Sequence, residues 1–364
     1  MTSKDRDFAV TDRRKFLLRG LQLGGAVALG GPLLAACGSG SSSSSSSSAA
    51  SSGSKSFGEL TLRLSWIKNV EFAGSYIADS KGYYKAEGFS KGTLIGGGPS
   101  ATPMETDVVT KKALVGISAP DITGAAIAKG APLKIIGAQY QKNPFCIMSM
   151  AKTPITKPED MYGKKIGVQA ANESIWAAFI KAAKLDASKI TKVPVQFDPL
   201  PLTQGTVDGW FSFITNEPNV LELKGFKVTT FLLADAGYPL VSETYLVRQD
   251  TIDKERELLK AFLRAEIKGW KASIADPALG AKLAAETYGK GLGLTTQEQT
   301  LESKDQNALI LTADTKKNGL FTVTQKLIDE NIQTLKYGGL DITAEKLFDF
   351  SLLAEVYKED PSLI

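Results

Sequence analysis

Histidine is absent from all 364 residues. That removes Ser-His-Asp and Cys-His activation of a nucleophile. It also removes histidine-held zinc, and two cysteines are too few to replace it. No Gly-x-x-x-x-Gly-Lys-Ser/Thr loop is present to cradle a nucleotide phosphate. Carboxylate-pair hydrolysis stays open, but no pair of acids stands out, and neither a cofactor nor a metal is expected. Of the two cysteines, Cys146 sits in the apolar run Phe145-Cys146-Ile147-Met148 and reads as a small buried hydrophobe. The other, Cys37, belongs to a leader, so no disulfide within the chain is expected.

The leader carries the strongest local signal. Arg13-Arg14-Lys15-Phe16-Leu17 is followed by a mildly apolar stretch and then by Leu34-Ala35-Ala36-Cys37. A serine-rich run to Ser56 comes next. This is the layout of an export signal, with residues 1–37 as the signal and 38–56 as a flexible linker. Leu-Ala-Ala-Cys resembles the bacterial lipoprotein box, in which Cys37 becomes the lipidated first residue. Arg13-Arg14 with Phe16-Leu17 resembles a twin-arginine export signal, although Asp12 and Leu18 depart from that pattern. An uncleaved anchor is the competing reading, since residues 17–36 are just long enough to span a bilayer. Arg19, Gln22, five glycines and Pro32 make that stretch a weak span. The leader holds six Lys/Arg against three Asp, so its removal takes the net charge from +4 to +1. A near-neutral remainder gives no electrostatic case for nucleic acid.

About 308 residues follow the linker, enough for two domains. Leu60 to Trp66 alternates with period two. Thr93–Ile95, Ala113–Ile117, Leu133–Ile136 and Lys165–Val168 are short apolar strands. Helical patterns lie between them at 74–81, 103–112, 122–129 and 174–184. Alternating strands and helices predict an α/β chain with mainly parallel sheet. Further on, Asp253–Ala275 reads as one long amphipathic helix with Leu259, Phe262, Leu263, Ile267, Trp270 and Ile274 in a stripe. Thr295 with Glu298 reads as a capping box. Helices are also predicted over 323–336, before Gly338-Gly339, and over 343–358. Two extended stretches, 139–149 and 238–247, read as crossings between domains. They divide the chain into a first lobe of 57–141 plus 246–364 and an inserted second lobe of 142–245. Two crossings make a hinge around a cleft.

Five stretches, in order, carry a resemblance. They are Trp66–Gly88, Gly96-Gly97-Gly98-Pro99, Val115–Asp121, Pro158–Val168 and Thr215-Asn216-Glu217-Pro218. The chain resembles substrate-binding lipoproteins of ABC importers, in the branch holding the thiamine-pyrimidine-precursor, riboflavin, nitrate, taurine and sulfonate binders. The resemblance implies a two-lobed, periplasmic-binding-protein-like fold of type II, with two crossover strands and an interlobe cleft. It implies a monomer anchored by lipid on the outer face of the bacterial cytoplasmic membrane. It also implies a small-molecule ligand, and as partners an ABC permease with its ATPase. One branch of that family is an enzyme that builds the thiamine pyrimidine with a histidine of its own chain. Glu71-Phe72 stands near that position here, which argues for a binder and not an enzyme.

Open α/β sheets bind ligands beyond the carboxyl ends of their strands. The candidate ligand-binding residues are therefore those just after the strands. In the first lobe they are Trp66, Asn69, Glu71, Phe72, Gly97, Ser100, Ser118, Asp121 and Tyr140. In the second they are Asn172, Ser174, Trp176, Trp210, Asn216 and Glu217. Trp176, Trp210 and Phe213 read as core sooner than as ligand platforms, while Glu217 could equally be a solvated acid and Gly96–Gly98 only a turn. The loops offer Glu71, Asp121, Glu173 and Glu217 but little positive charge beyond Lys68. One ionised carboxylate about 4 Å from an anion costs on the order of 4 kcal/mol at an effective dielectric near 20. That corresponds to roughly a thousandfold in affinity. The expected ligand is a small neutral heteroaromatic compound with N–H donors, stacked on Trp or Tyr. A sulfonate, taurine or nitrate binder and a ligand sensor without transport are the alternatives.

The leader gives a direct prediction. Metabolic labelling with a lipid precursor should mark the wild type and not Cys37→Ala; equal labelling of the two would rule out lipidation at Cys37.

Overall fold

The structure is a computed structural model, and residues 56–98 and 100–364 are described. The expected signal, Cys37 and all of the expected linker except Ser56 lie outside the described residues. Ten strands form two five-stranded sheets. The first contains β1 (Gly58–Arg63), β2 (Phe89–Ile95), β3 (Val115–Ser118), β4 (Leu133–Tyr140) and β10 (Ser242–Arg248). The second contains β5 (Phe145–Met150), β6 (Lys165–Gln169), β7 (Thr191–Val195), β8 (Gly209–Phe213) and β9 (Val228–Leu232).

The two sheets share one plan. Their orders are β2-β1-β3-β10-β4 and β7-β6-β8-β5-β9. In the first, β1 pairs in parallel with β2 and β3, while β10 runs antiparallel to β3 and β4. In the second, β6 pairs in parallel with β7 and β8, while β5 runs antiparallel to β8 and β9. The chain leaves the first sheet after β4, enters the second as β5, and returns from β9 to the first as β10. Each sheet is thus closed by a strand arriving from the other. This is a mixed α/β, two-lobed architecture of the periplasmic-binding-protein kind.

The apolar patterning explains the sheets. Leu60, Leu62 and Leu64 are fully buried, as the period-two run requires. Strands β3 and β4 are buried along nearly their whole length, as expected for sheet covered on both faces. Helix Arg256–Ala275 lays Leu259, Phe262, Leu263, Ile267 and Trp270 into the first core. Its close approach to helix Ala73–Ser80 depends on glycine. A Cβ on Gly269 would lie 2.1 Å from the Gly74 carbonyl oxygen, and one on Gly74 would lie 2.3 Å from the Trp270 ring. The same helix carries Glu266, fully buried, which accepts hydrogen bonds from Ser75 Oγ at 2.9 Å and Tyr245 OH at 2.6 Å, and from Tyr84 OH.

Three predicted elements differ. The helix expected over 253–275 is two, Gln249–Lys254 and Arg256–Ala275, broken where Glu255 leaves helical geometry at φ −128°, ψ 37°. The helix expected over 343–358 is also two, Ala344–Leu347 and Ser351–Glu359. Between them Phe348 makes an isolated bridge to Ile135, and Asp349 N donates to Ile135 O at 2.8 Å. Pairing with a strand edge takes those residues out of the helix. Thr295 caps helix Thr296–Ile310 by accepting from Glu298 N, without the reciprocal bond of a full capping box. The C-terminal helices also reach beyond the first sheet. Leu335, on helix Gln325–Tyr337, shares a core with Trp176 and Phe179 of helix Glu173–Ala182. Asn331 Oδ1, on the same C-terminal helix, accepts from Val241 N at 3.0 Å and so fastens the return crossing.

Gly269→Ala should lower the thermal midpoint. Overpacking costs about 1–3 kcal/mol and outweighs the gain in helix propensity of up to about 1 kcal/mol. Calorimetry reads the shift, and an unchanged midpoint would contradict the close approach.

Candidate functional site

The site is assembled where the two sheets face each other. Trp66 follows β1, and a 3-10 turn at Val70–Phe72 then leads into helix Ala73–Ser80. Helix Thr296–Ile310 clamps that turn with a polar face. Gln299 Oε1 accepts from Val70 N at 2.6 Å, and Gln306 Nε2 donates to Val70 O at 3.1 Å. Between them, Glu302 accepts from Asn69 Nδ2 at 3.0 Å and from Gln299 Nε2 at 2.9 Å. Positions three and four apart share a helix face, so Glu302 is carried into the wall by the same face that holds the turn.

The second crossing supplies Glu243. It lies one residue into β10 with φ +48°, a left-handed conformation uncommon for a side chain other than glycine. Its Oε2 accepts from Ser65 Oγ at 2.6 Å. Strain of this kind is retained where the surroundings over-determine it, often at binding sites. In the second lobe, Glu217 opens helix Glu217–Leu223. Its Oε2 accepts from Ser212 Oγ at 3.0 Å and from Phe213 N at 2.9 Å.

These residues enclose a cavity of about 540 Å³. Trp66, Asn69, Glu71, Ser118, Asp121, Asn172, Asn216 and Glu217 line it. The other candidates do not, each for a structural reason. Phe72 is fully buried in the first core. Tyr140 is buried too, with its hydroxyl donating to Gln306 Oε1 at 2.8 Å. Gly97 packs on the end of β1, where a Cβ would lie 2.5 Å from Leu64 O. Ser100 and Ser174 are exposed. Trp176 belongs to the core under helix Glu173–Ala182. Trp210 points to the opposite face of β8, into a cluster with Met148, Leu202 and Leu221.

Sequence reasoning missed several wall residues. Glu243, Ser242 and Phe145 begin the antiparallel crossing strands, whereas the open-sheet rule points to carboxyl ends. Phe211 and Phe213 occupy the face of β8 opposite Trp210; the alternation of that strand was the signal. Glu302 and Asn143 gave no signal, since a polar helix stripe and a lone loop asparagine look like solvated surface.

The electrostatics are one-sided. Glu71, Asp121, Glu217, Glu243 and Glu302 line the cavity, and no Lys or Arg does among the described residues. Burial pushes the Glu71 carboxyl up to about 7, against the opposing hydrogen bond from Asn69. Burial, and after it the Glu71 charge, raises Glu243 and Glu302 well above the usual range. Burial also raises Asp121 and Glu217, opposed by the backbone N–H groups of Asp121 and Ile122 for the first and of Phe213 and Glu217 for the second. Lys68, the one basic residue expected nearby, has its stem beside Gly96 and does not line the cavity.

The NMT1/THI5-like family matches residues 69–279, more than half of the chain. The chain belongs to that family. Three curated relatives are similar to it. The riboflavin-binding protein RibY of Chloroflexus aurantiacus is 26% identical over 60% of the chain and 63% of its own length. The formylaminopyrimidine-binding protein of Halalkalibacterium halodurans is 24% identical over 59% and 66%. A 4-amino-5-hydroxymethyl-2-methylpyrimidine phosphate synthase of Legionella pneumophila is 26% identical over 75% and 88%. The chain thus spans just under two thirds of the two binding proteins. Among solved structures, the aliphatic sulphonate binding protein SsuA of Escherichia coli matches with a TM-score of 0.59 and 16% identity, over 81% of this chain and 91% of that one. That likeness shows the two-lobed fold of this NMT1/THI5-like chain. The family match itself begins at Asn69, inside the cavity wall.

The buried acids make a prediction about stability. Each holds its proton to higher pH in the folded chain than unfolded, so folding binds protons. The stabilisation is full below about pH 4 and is lost as pH rises through the raised values, about 7 for Glu71. Without ligand, the thermal midpoint should therefore be higher at pH 5.5 than at pH 8. A midpoint that climbs from pH 5.5 to pH 8 would contradict it.

Proposed function

We propose that this protein is the extracytoplasmic solute-binding component of an ABC importer, and that its cleft captures a small planar heteroaromatic compound carrying N–H donors. The observation that supports this most is the cavity wall: aromatic side chains from both lobes around five carboxylates, four of them buried and Asp121 half-buried, with no basic side chain lining it among the described residues. Phe145, Phe211 and Phe213 come from one lobe and Trp66 from the other, and aromatic walls of this kind suit a flat ring. Carboxylates and asparagines accept the hydrogen bonds of ring and exocyclic N–H groups. A cavity of about 540 Å³ lies within the usual range for small-molecule sites. Relatives named for riboflavin and formylaminopyrimidine binding agree with this ligand class.

Sulfonate or nitrate as ligand is opposed by the same wall, because a desolvated anion would meet buried carboxylates and no positive partner. One relative is named a synthase. A binding role is favoured here because the chain has no histidine to supply that chemistry. Among the described residues, no helix is long and apolar enough to cross a membrane. Attachment then rests on export through the leader and lipidation at Cys37, with the serine-rich linker as tether. A tether of that kind raises the local concentration of the binder at a permease.

A thermal-shift screen of vitamins, nucleobases, aminopyrimidines and oxyanions tests the reading, since a ligand stabilises by mass action. Heteroaromatic compounds should raise the midpoint; stabilisation by sulfonates or nitrate alone would reject the assignment. Trp66→Ala and Glu217→Gln should each weaken the active compound by about 1–3 kcal/mol. Unchanged affinity in both would misplace the site.

A further inference from the structure

Ser118 ends β3 and lines the cavity. Its backbone is held by Thr244 Oγ1, which donates to Ser118 O at 3.1 Å. Its side chain is held from behind. Ser118 Oγ donates to Glu105 Oε1 at 2.6 Å, and Thr123 Oγ1, on helix Pro120–Ala128, donates to the same oxygen at 2.9 Å. Glu105 lies on helix Met104–Val109, is buried and does not line the cavity. A buried acid behind the wall thus takes the proton of a hydroxyl in the wall. A hydroxyl has one proton and two lone pairs. With its proton given to Glu105, Ser118 has only lone pairs left for a ligand.

Two further observations fix this arrangement. A buried arginine pins the helix that carries Glu105. Arg63 Nε pairs with Asp107 Oδ2 at 3.0 Å, two residues beyond Glu105, and the other two nitrogens donate to the carbonyls of Gly96 and Thr102. An arginine fork of this kind sets geometry as well as energy. The Glu105 oxygens are also unequal. Oε1 accepts two hydroxyl protons, whereas Oε2 is buried without a hydrogen-bond partner. Any proton on the carboxyl would sit on Oε2, so Oε1 accepts from Ser118 with or without it.

We propose that Glu105 is a positioning residue for ligand selection: it makes Ser118 Oγ an obligatory acceptor, so that this part of the cleft selects a ring bearing an exocyclic N–H donor over the same ring bearing a carbonyl oxygen. The inference rests on the binding role proposed above and refines it. A carbonyl at that place would set lone pair against lone pair, and its oxygen would lose the hydrogen bond that water gave it.

Glu105→Gln changes the polarity without changing the shape. An amide N–H at the Oε2 position would be a buried orphan donor, which folded chains seldom tolerate. The amide therefore turns so that Nε2 donates to Ser118 and Thr123, and its oxygen takes the place without a partner. Thr123 can pass its proton to a carbonyl one turn back in its helix. Ser118 is then free to donate into the cavity.

Calorimetric titration of the full chain with 4-aminopyrimidine and pyrimidin-4-one, in buffer where both are neutral, tests this. The two rings exchange an exocyclic NH2 for an oxygen, with the ring proton that goes with it. The wild type should bind 4-aminopyrimidine at least about tenfold tighter. Other acceptors in the wall favour the amino ring too, so the change in that ratio is the readout. Glu105→Gln should cut the ratio by about tenfold, partly by tightening the pyrimidinone. Ser118→Ala should cut it as well, and adding Glu105→Gln to Ser118→Ala should change it no further, because Glu105 acts through Ser118. A merely structural role for Glu105 would weaken both probes alike and leave the ratio standing. An unchanged ratio in Glu105→Gln, a further drop in the double variant, or wild-type binding of the pyrimidinone as tight as that of the amino ring would overturn the proposal. If Glu105→Gln fails to fold, Ser118→Ala decides, and a ratio it leaves intact would overturn the proposal. Failure of both probes to bind the wild type would overturn it too. In each of these cases a heteroaromatic compound that stabilises the chain in the thermal-shift screen leaves the proposed function standing, and the lack of any such compound rejects both.

Discussion

The structure depends on two strands that cross between sheets and are received antiparallel. Strand β5 leaves the first sheet and pairs between β8 and β9; β10 returns and pairs between β3 and β4. A strand that arrives from the other sheet must start at the edge that faces it. The carboxyl ends of the parallel strands and the amino ends of the crossing strands therefore meet at one level. Trp66 and Ser118 come from the first kind of end, Phe145, Ser242 and Glu243 from the second. Helix Thr296–Ile310 packs on the turn after β1 and adds Glu302 to the same level.

The cleft is costly in electrostatic terms. Five carboxyl groups lose water there without gaining a basic partner among the described residues. Burying an acid disfavours its charged form, and the neighbouring acids add to the effect. The consequence is visible in Glu71, pushed up to about 7. Glu266 shows how this chain treats an acid that serves only packing, with three hydroxyl donors and no opening to the cavity. A residue such as Glu243, held at φ +48° to reach Ser65, carries backbone strain in addition. Acids kept in such places are compensated when a ligand brings donors or charge.

Much of the fold was legible. The alternation of Leu60, Leu62 and Leu64 marked β1, and the stripe from Leu259 to Trp270 marked the long helix. About half of the candidate residues line the cavity, and for one reason: residues following parallel strands, such as Asn69, Asp121, Asn172 and Asn216, fall at the cleft whenever the sheet is open. Trp210 and Trp176 misled because size and aromaticity do not say which face of an element is covered. Trp210 is one residue from Phe211, and that single step sends one ring into the core and the other into the cavity. The predicted helix over 343–358 failed at Phe348, where pairing with Ile135 overrode local helical preference.

The sequence by itself determined the class of the chain. Its strand and helix periodicities, its missing histidine and its Leu34-Ala35-Ala36-Cys37 stretch are local properties, readable without knowing what touches what. The tertiary structure alone decided the chemistry of the cleft. Glu71, Glu243 and Glu302 are separated by 172 and 59 positions along the chain, and no local pattern links them. They converge because a crossing strand must begin at the cleft and because a polar helix face clamps the first turn. Their acidity matters only once packing has removed the water and left no Lys or Arg among the described residues of the wall.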